Sequence, residues 1–223
     1  MEKKIHVTGD GSHTLFVPEL NEFYHSAKGA YSESMHVFIN RGLKEVTNRK
    51  KLNILEIGFG TGLNCLLTFI EAEKNDLHVF YDALEPYPLD WDLVSKLNYT
   101  SIIQYNDAEK LLKTFHQSEW DSWVDFNDWF SLRKSKIRIE DVKLDFDNYD
   151  LVYYDAFGPG VQSEMWMRKN FLKVFQSMKR GGVLVTYCAK GQVRRDMENT
   201  GFFVERLPGT SAGKREMIRA FKK

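Results

Sequence analysis

Cysteine is nearly missing from this chain: it occurs twice, at Cys65 and Cys188, with no C-x-x-C pair and no companion histidine spacing. A disulfide framework and a zinc site are therefore not indicated, and both cysteines read as core thiols. Long apolar runs are missing too. None approaches the roughly 18 residues that span a bilayer, and the opening MEKKIHVTGDG lacks the apolar centre of a secretory leader. A soluble, cytoplasmic protein with no membrane partner and no metal is the expectation. Net charge is absent as well, with 31 basic and 31 acidic residues, and no repeat or linker-like stretch divides the chain. At 223 residues and 43% hydrophobic content, one domain with a sizeable core is expected.

The zero net charge hides an asymmetry. Residues 164–223 carry 14 Lys and Arg against 5 Asp and Glu, which leaves 17 against 26 before them. Such a basic half suits a nucleic-acid face, although solvated helix and strand surfaces give the same count.

The chain is organised around LNILEIGFGTGLNCLLTF, residues 52–69. Leu52, Ile54, Leu55 and Ile57 suit a buried parallel strand, and Leu63, Leu66, Leu67 and Ile70 recur at helical spacing. Between them Gly58, Gly60 and Gly62 allow a tight turn at which a ligand can approach the backbone and the helix start. The dinucleotide fingerprint places its glycines at offsets 0, 2 and 5, whereas offset 5 from Gly58 is Leu63. With Glu56 ahead, the pattern E-x-G-x-G-x-G looks like the first motif of class I S-adenosylmethionine (SAM) methyltransferases. The competing readings are a ligand-free glycine turn and a nicotinamide or flavin site.

Residues 4–17 read as a hairpin, and Met35, Phe38, Ile39 and Leu43 recur at helical spacing in a helix whose start Ser32 or Ser34 would cap, with Gly42 near its end. A second strand, His78–Leu84, ends at Glu85, 23 positions past Gly62, where a carboxylate suits both hydroxyls of a ribose; the alternative is a plain surface carboxylate. Ser101–Tyr105 reads as a third strand. Asp107 then either caps the helix that follows or, with Ala108, holds the adenine amino group. Residues 118–148 fit a doubly wound plan poorly, and FNDWFSL, a polar turn RKSK and KIRIEDVKL suggest an inserted strand pair. Tyr149–Tyr154 is a strongly apolar fourth strand ending in DAFGPG, so Asp155 stands at the carboxyl end of a central strand, where open α/β sheets bind substrate. Helix 165–178, strand 183–188, another helix, and two antiparallel strands at 202–207 and 216–221 complete the chain.

These residues together resemble a known family. DGSHTL, YHS with GAYSES, LEIGFGTGLN, YDAF with Pro159 and the following MW, GGVLVTYCAKG and GKREMIRA are similar, nearly end to end, to the methyltransferase domain of the bifunctional MnmC family and its stand-alone relatives. The resemblance implies a Rossmann-like α/β fold with a mostly parallel seven-stranded sheet and an antiparallel last strand. The expected layout is a single methyltransferase domain, with residues 1–50 as an N-terminal extension and 51–223 as the core. It also implies methyl transfer from SAM to the primary amine of 5-aminomethyluridine, or its 2-thio form, at the tRNA wobble position. Asp155 is then the catalytic candidate. Glu56, Gly58, Phe59, Gly60, Thr61, Gly62, Glu85, Asp107 and Ala108 are the cofactor candidates. Tyr24, Phe157, Lys190, Arg195, Lys214 and Arg215 are the candidates for contact with the tRNA anticodon stem-loop. The family's FAD oxidoreductase domain is not expected within these residues. With an ordinary pKa of about 4, Asp155 would orient the amine rather than fully abstract its proton. An aminopropyltransferase of the spermidine synthase type, or a non-catalytic tRNA- or nucleotide-binding protein, is the alternative.

Overall fold

The computed structural model describes residues 1–210 and 216–223, and its first elements form a small sheet of their own. Strands β1 (Lys4–Val7) and β2 (His13–Val17) pair antiparallel, with Ile5 opposite Leu15, and β3 (Glu22–Phe23) adds beside β2. Helix α1 (Ala30–Ser34) follows and runs into a π-helical stretch, Met35–Asn40, that buries Val37, Phe38 and Ile39. Neither Ser32 nor Ser34 caps this helix, contrary to the sequence expectation, because it begins earlier. Its open amides are taken by the preceding hairpin turn instead. Ser12 Oγ accepts from the Ala30 and Tyr31 N–H groups at 3.0 and 3.1 Å, and Asp10 Oδ2 accepts from Ser32 N–H at 2.9 Å. Although burial opposes it, hydrogen bonding from Ser12 and Ser32 holds the Asp10 carboxyl well below the usual carboxylate range.

The main body alternates strands and helices: β4 (Lys51–Ile57), α2 (Leu63–Lys74), β5 (His78–Leu84), α3 (Trp91–Val94), α4 (Tyr99–Ile102), α5 (Ala108–Gln117), β6 (Trp123–Asn127), β7 (Phe130–Ser135), β8 (Tyr149–Tyr154), α6 (Arg168–Ser177), β9 (Met178–Thr186), α7 (Gly191–Glu198), β10 (Phe203–Pro208) and β11 (Glu216–Phe221). The strands form one sheet in the order β10-β11-β9-β8-β4-β5-β7-β6. Strands β4, β5, β7, β8 and β9 are parallel, whereas β11 runs antiparallel to both β9 and β10, and β6 antiparallel to β7. Side chains alternate across this sheet as strand geometry requires. Leu52, Ile54, Leu151 and Tyr153 join the core beneath α2 and α5, with Cys65 among them, while Leu55, Ile57, Val152 and Tyr154 join the opposite core beneath α6 and α7, with Cys188.

Two expectations need correction. Residues Ser101–Tyr105 form no strand: the segment is the end of α4 and a turn, and the third parallel strand is β7, pairing Val79 with Phe130 and Leu84 with Ser135. The strand pair at 118–148 exists, but its turn lies at Asp128–Trp129 rather than RKSK, and residues 136–148 contain no strand. Two of the RKSK charges, Arg133 and Lys134, sit inside β7 because each finds a partner. Arg133 forks onto Asp82 at 3.0 and 2.5 Å, and Lys134 Nζ donates to His116 O at 2.9 Å.

Candidate active site

Parallel strands β4 and β8 are neighbours, yet the chain leaves β4 toward β5 on one side and returns to β8 on the other. Their carboxyl ends thus open a crevice at the point where the strand order reverses. Both strands release their loops there, joined by Asp155 N–H to Ile57 O, while Gly58 N–H donates to Leu84 O at the end of β5, each at 2.9 Å. Gly58 has φ +97°, and a Cβ on it would stand 2.5 Å from the Asp155 carbonyl oxygen, so only glycine lets the two loops touch. Gly62 then starts α2 in the left-handed conformation with no side-chain cap.

Carboxyl groups dominate what this crevice holds. Glu85, at the end of β5, accepts Gly60 N–H on Oε2 at 2.9 Å and Tyr87 N–H on Oε1 at 2.8 Å, so it braces the glycine loop. Burial pushes its carboxyl up, with those two amides opposing. Asp155 Oδ2 accepts from Asn64 Nδ2 at 2.8 Å, and the same nitrogen donates to Glu56 Oε1 at 3.1 Å. Burial first, and then the charge of Glu33, raises the Asp155 carboxyl well above its ordinary range, with Asn64 opposing. Burial and then the Asp155 charge do the same to Glu56. Asp155 therefore does not have the ordinary carboxylate pKa expected from sequence, because a half-buried carboxylate facing other acids is costly to ionise.

Aromatic side chains wall the opening. Tyr24 meets Phe157 edge to face, with centroids 4.9 Å apart. The loop carrying Phe157 is pinned by Trp166 Nε1, which donates to Phe157 O at 2.7 Å, and by Tyr187 Oη, which donates to Ala156 O at 2.9 Å.

The pocket thus gathers Tyr24, Gly58, Phe59, Gly60, Thr61, Glu85, Asp155 and Phe157 of the sequence candidates. Glu56 lies behind Asn64, and Gly62 begins the helix that carries it. Asp107 and Ala108 are placed elsewhere: they line a separate open depression with Thr100 and Lys110, and the Asp107 side chain makes no capping bond to α5. Lys190 begins α7, and its Nζ reaches the loop after Asp155, 3.7 Å from where a Gly160 Cβ would stand. Arg195 is exposed and donates to Gln192 Oε1 at 2.9 Å. Lys214 and Arg215 lie outside the described residues. Sequence reading missed Asn64 altogether; its one signal was its place directly after the glycine loop, in LEIGFGTGLN.

SAM fits this chemistry. Its sulfonium and α-ammonium are cations, and the pocket offers Glu85 and Asp155 with Glu56 behind, against Lys3 alone of the lysines and arginines among the described lining residues. A pyrophosphate-bearing cofactor would meet like charge.

Comparison with known proteins agrees. The model of a family described as S-adenosyl-L-methionine-dependent methyltransferase matches residues 104–223. The chain is 26% identical to the tRNA 5-methylaminomethyl-2-thiouridine biosynthesis bifunctional protein MnmC of Campylobacter hominis, over 93% of this chain and 31% of that protein. To the protein of the same name from Cupriavidus metallidurans it is 28% identical, over 96% of this chain and 33% of that one. It therefore spans about a third of the length of these curated relatives. The crystal structure of MNMC2 from Aquifex aeolicus superposes with a TM-score of 0.77 at 26% identity, covering 100% of this chain and 71% of that one. Spermidine synthase from Thermotoga maritima, covering 100% of this chain and 80% of its own, shares the fold alone, at 12% identity and a TM-score of 0.57.

Proposed function

The chain belongs to this family of S-adenosyl-L-methionine-dependent methyltransferases, and on that premise we propose that it methylates the primary amine of 5-aminomethyluridine, or its 2-thio form, at the wobble position of tRNA. The observation that carries this reading is Asp155: a half-buried carboxylate at the end of β8, held by Asn64 beside the glycine loop, with Tyr24 and Phe157 forming an aromatic mouth. The names of the relatives over the matched third supply the substrate.

When bound, the cofactor supplies a methyl group on a positively charged sulfur. The glycine loop, braced by Glu85, would hold it, with Glu85 taking the ribose hydroxyls. Tyr24 and Phe157 would pack against the extruded base. An amine that is mostly protonated in water has no free lone pair, so a proton must leave before transfer. Asp155, whose carboxyl is pushed up by burial, is a better match for that proton than an exposed carboxylate. Once that proton has passed on to solvent, the Asp155 carboxylate is charged again and would stabilise the new ammonium. Lys190 and Arg195, with the basic half of the chain, would meet tRNA phosphates.

The test is to incubate the purified protein with SAM and tRNA bearing 5-aminomethyluridine and to digest the RNA for mass spectrometry. A gain of one methyl on that nucleoside is expected. An unchanged nucleoside, or aminopropyl transfer to a diamine from decarboxylated SAM, would overturn the assignment.

A further inference from the structure

Asn64 is 3% exposed and lines the same cavity as Asp155. A carboxamide has two hydrogens and one acceptor oxygen. Both hydrogens of Asn64 are committed, at 3.1 Å to Glu56 Oε1 and 2.8 Å to Asp155 Oδ2. The nitrogen rather than the oxygen faces the two carboxyl oxygens. Its Oδ1 is left buried with no hydrogen-bond partner. A buried acceptor needs a donor, and the described residues supply none.

We propose, resting on the amine-methylation reading above, that Asn64 Oδ1 and Asp155 form a two-point acceptor for the substrate amine, and that this pair stops the reaction after one methyl. A neutral primary amine has two N–H bonds and one lone pair. With one N–H on Asp155 and the other on Asn64 Oδ1, the lone pair has one open direction, toward the methyl donor. The N–C bond forms from that pair while the bond between the methyl carbon and sulfur breaks, its electrons remaining on sulfur. The resulting secondary ammonium keeps both N–H groups on the same two acceptors. A second transfer requires this nitrogen to lose a proton. It then has one N–H for two acceptors and turns a methyl group onto a buried oxygen. Leaving such an acceptor unmet slows the second transfer on the order of ten- to a hundredfold.

The experiment begins with equilibrium binding, in the presence of S-adenosylhomocysteine so that nothing is transferred. Wild-type protein should bind tRNA carrying 5-aminomethyluridine about tenfold or more tightly than tRNA carrying the dimethylaminomethyl form, whose ammonium has a single N–H. Asn64→Ala and the volume-matched Asn64→Leu should shrink that gap while SAM affinity by calorimetry stays within about threefold. On prolonged incubation with SAM, Asn64→Ala should also yield a dimethylated nucleoside by mass spectrometry. Equal wild-type affinity for the two tRNAs overturns the two-point acceptor whether or not the variants fold. Weakened SAM binding with an unchanged gap would also overturn it, by assigning Asn64 to the cofactor. A wild-type protein that leaves aminomethyl-tRNA unmethylated brings down the functional reading itself, which separates the two failures.

Discussion

Asp155 sits half-buried among other acids, where a carboxylate is hard to ionise, and that position has a thermodynamic cost. Its folded-state pKa is raised by burial and by Glu33, so between the ordinary carboxylate value and the raised one the folded chain binds more protons than the unfolded chain. Stability of the ligand-free protein therefore falls as pH rises through that window. Asp155→Asn keeps shape and an acceptor oxygen but cannot ionise. It should melt above the wild type without ligand, by a margin that widens from pH 5 to pH 8, while single-turnover methyl transfer falls about a hundredfold or more. A near wild-type rate, or a margin that shrinks with pH, would remove Asp155 from the catalytic role. Glu85 is the complementary case, since its oxygens hold the Gly60 and Tyr87 amides. Replacing it by Ala should weaken SAM at least about tenfold in calorimetry, and unchanged affinity would place the ribose elsewhere. Both acids were legible in the sequence because each ends an apolar strand. Asn64 was not, because its two partners lie 8 and 91 residues away and a lone asparagine in a helix carries no pattern.

At the scale of elements, periodicity found the strands whose charges are few and lost the one whose charges are satisfied at a distance. RKSK reads as a polar turn, yet β7 runs on through Arg133 and Lys134 to Ser135, between β5 and β6, with Arg133 on Asp82. The short run SIIQY reads as a strand but has no neighbour with which to pair, and it closes α4 instead. The beginning of α1 was equally illegible, since its amides are satisfied from Ser12 and Asp10, 18 to 22 residues upstream. That link ties the N-terminal sheet to the helix, with Tyr24 and His25 of the pocket between them. Asp10→Ala removes an acceptor that also serves Thr8 Oγ1 at 2.8 Å and the Ser12 amide at 3.0 Å. The site is partly solvated, so the loss should be about 2 kcal/mol. A fall in melting temperature of about 4 to 8 °C is expected for a chain of this size. A change below about 1 °C would mean that α1 is held by its packing alone.

For the whole molecule, the uneven distribution of charge predicts how its two ligands respond to salt. In the proposed activity a long polyanion would lie on the surface that carries Lys190 and Arg195, whereas the cofactor would enter a small cavity between strand ends. Affinity for tRNA should fall steeply and linearly on a log-log plot of binding against salt, and affinity for SAM should barely move. Equal slopes would argue against a basic tRNA face.

The two cysteines give the molecule a pair of built-in clocks. Cys65 lies in the layer under the glycine-loop helix and Cys188 in the layer on the other side of the sheet, and burial pushes both thiols up. Neither reacts with an alkylating reagent until its own layer opens, so two labelling rates time the opening of the two layers separately. SAM at a hundredfold excess over its dissociation constant should slow alkylation of Cys65 by about a hundredfold where opening releases the ligand. Whether Cys188 slows equally tells whether the sheet's two coats come away together or one at a time. A Cys65 rate indifferent to SAM would show that α2 opens without disturbing the loop it begins from.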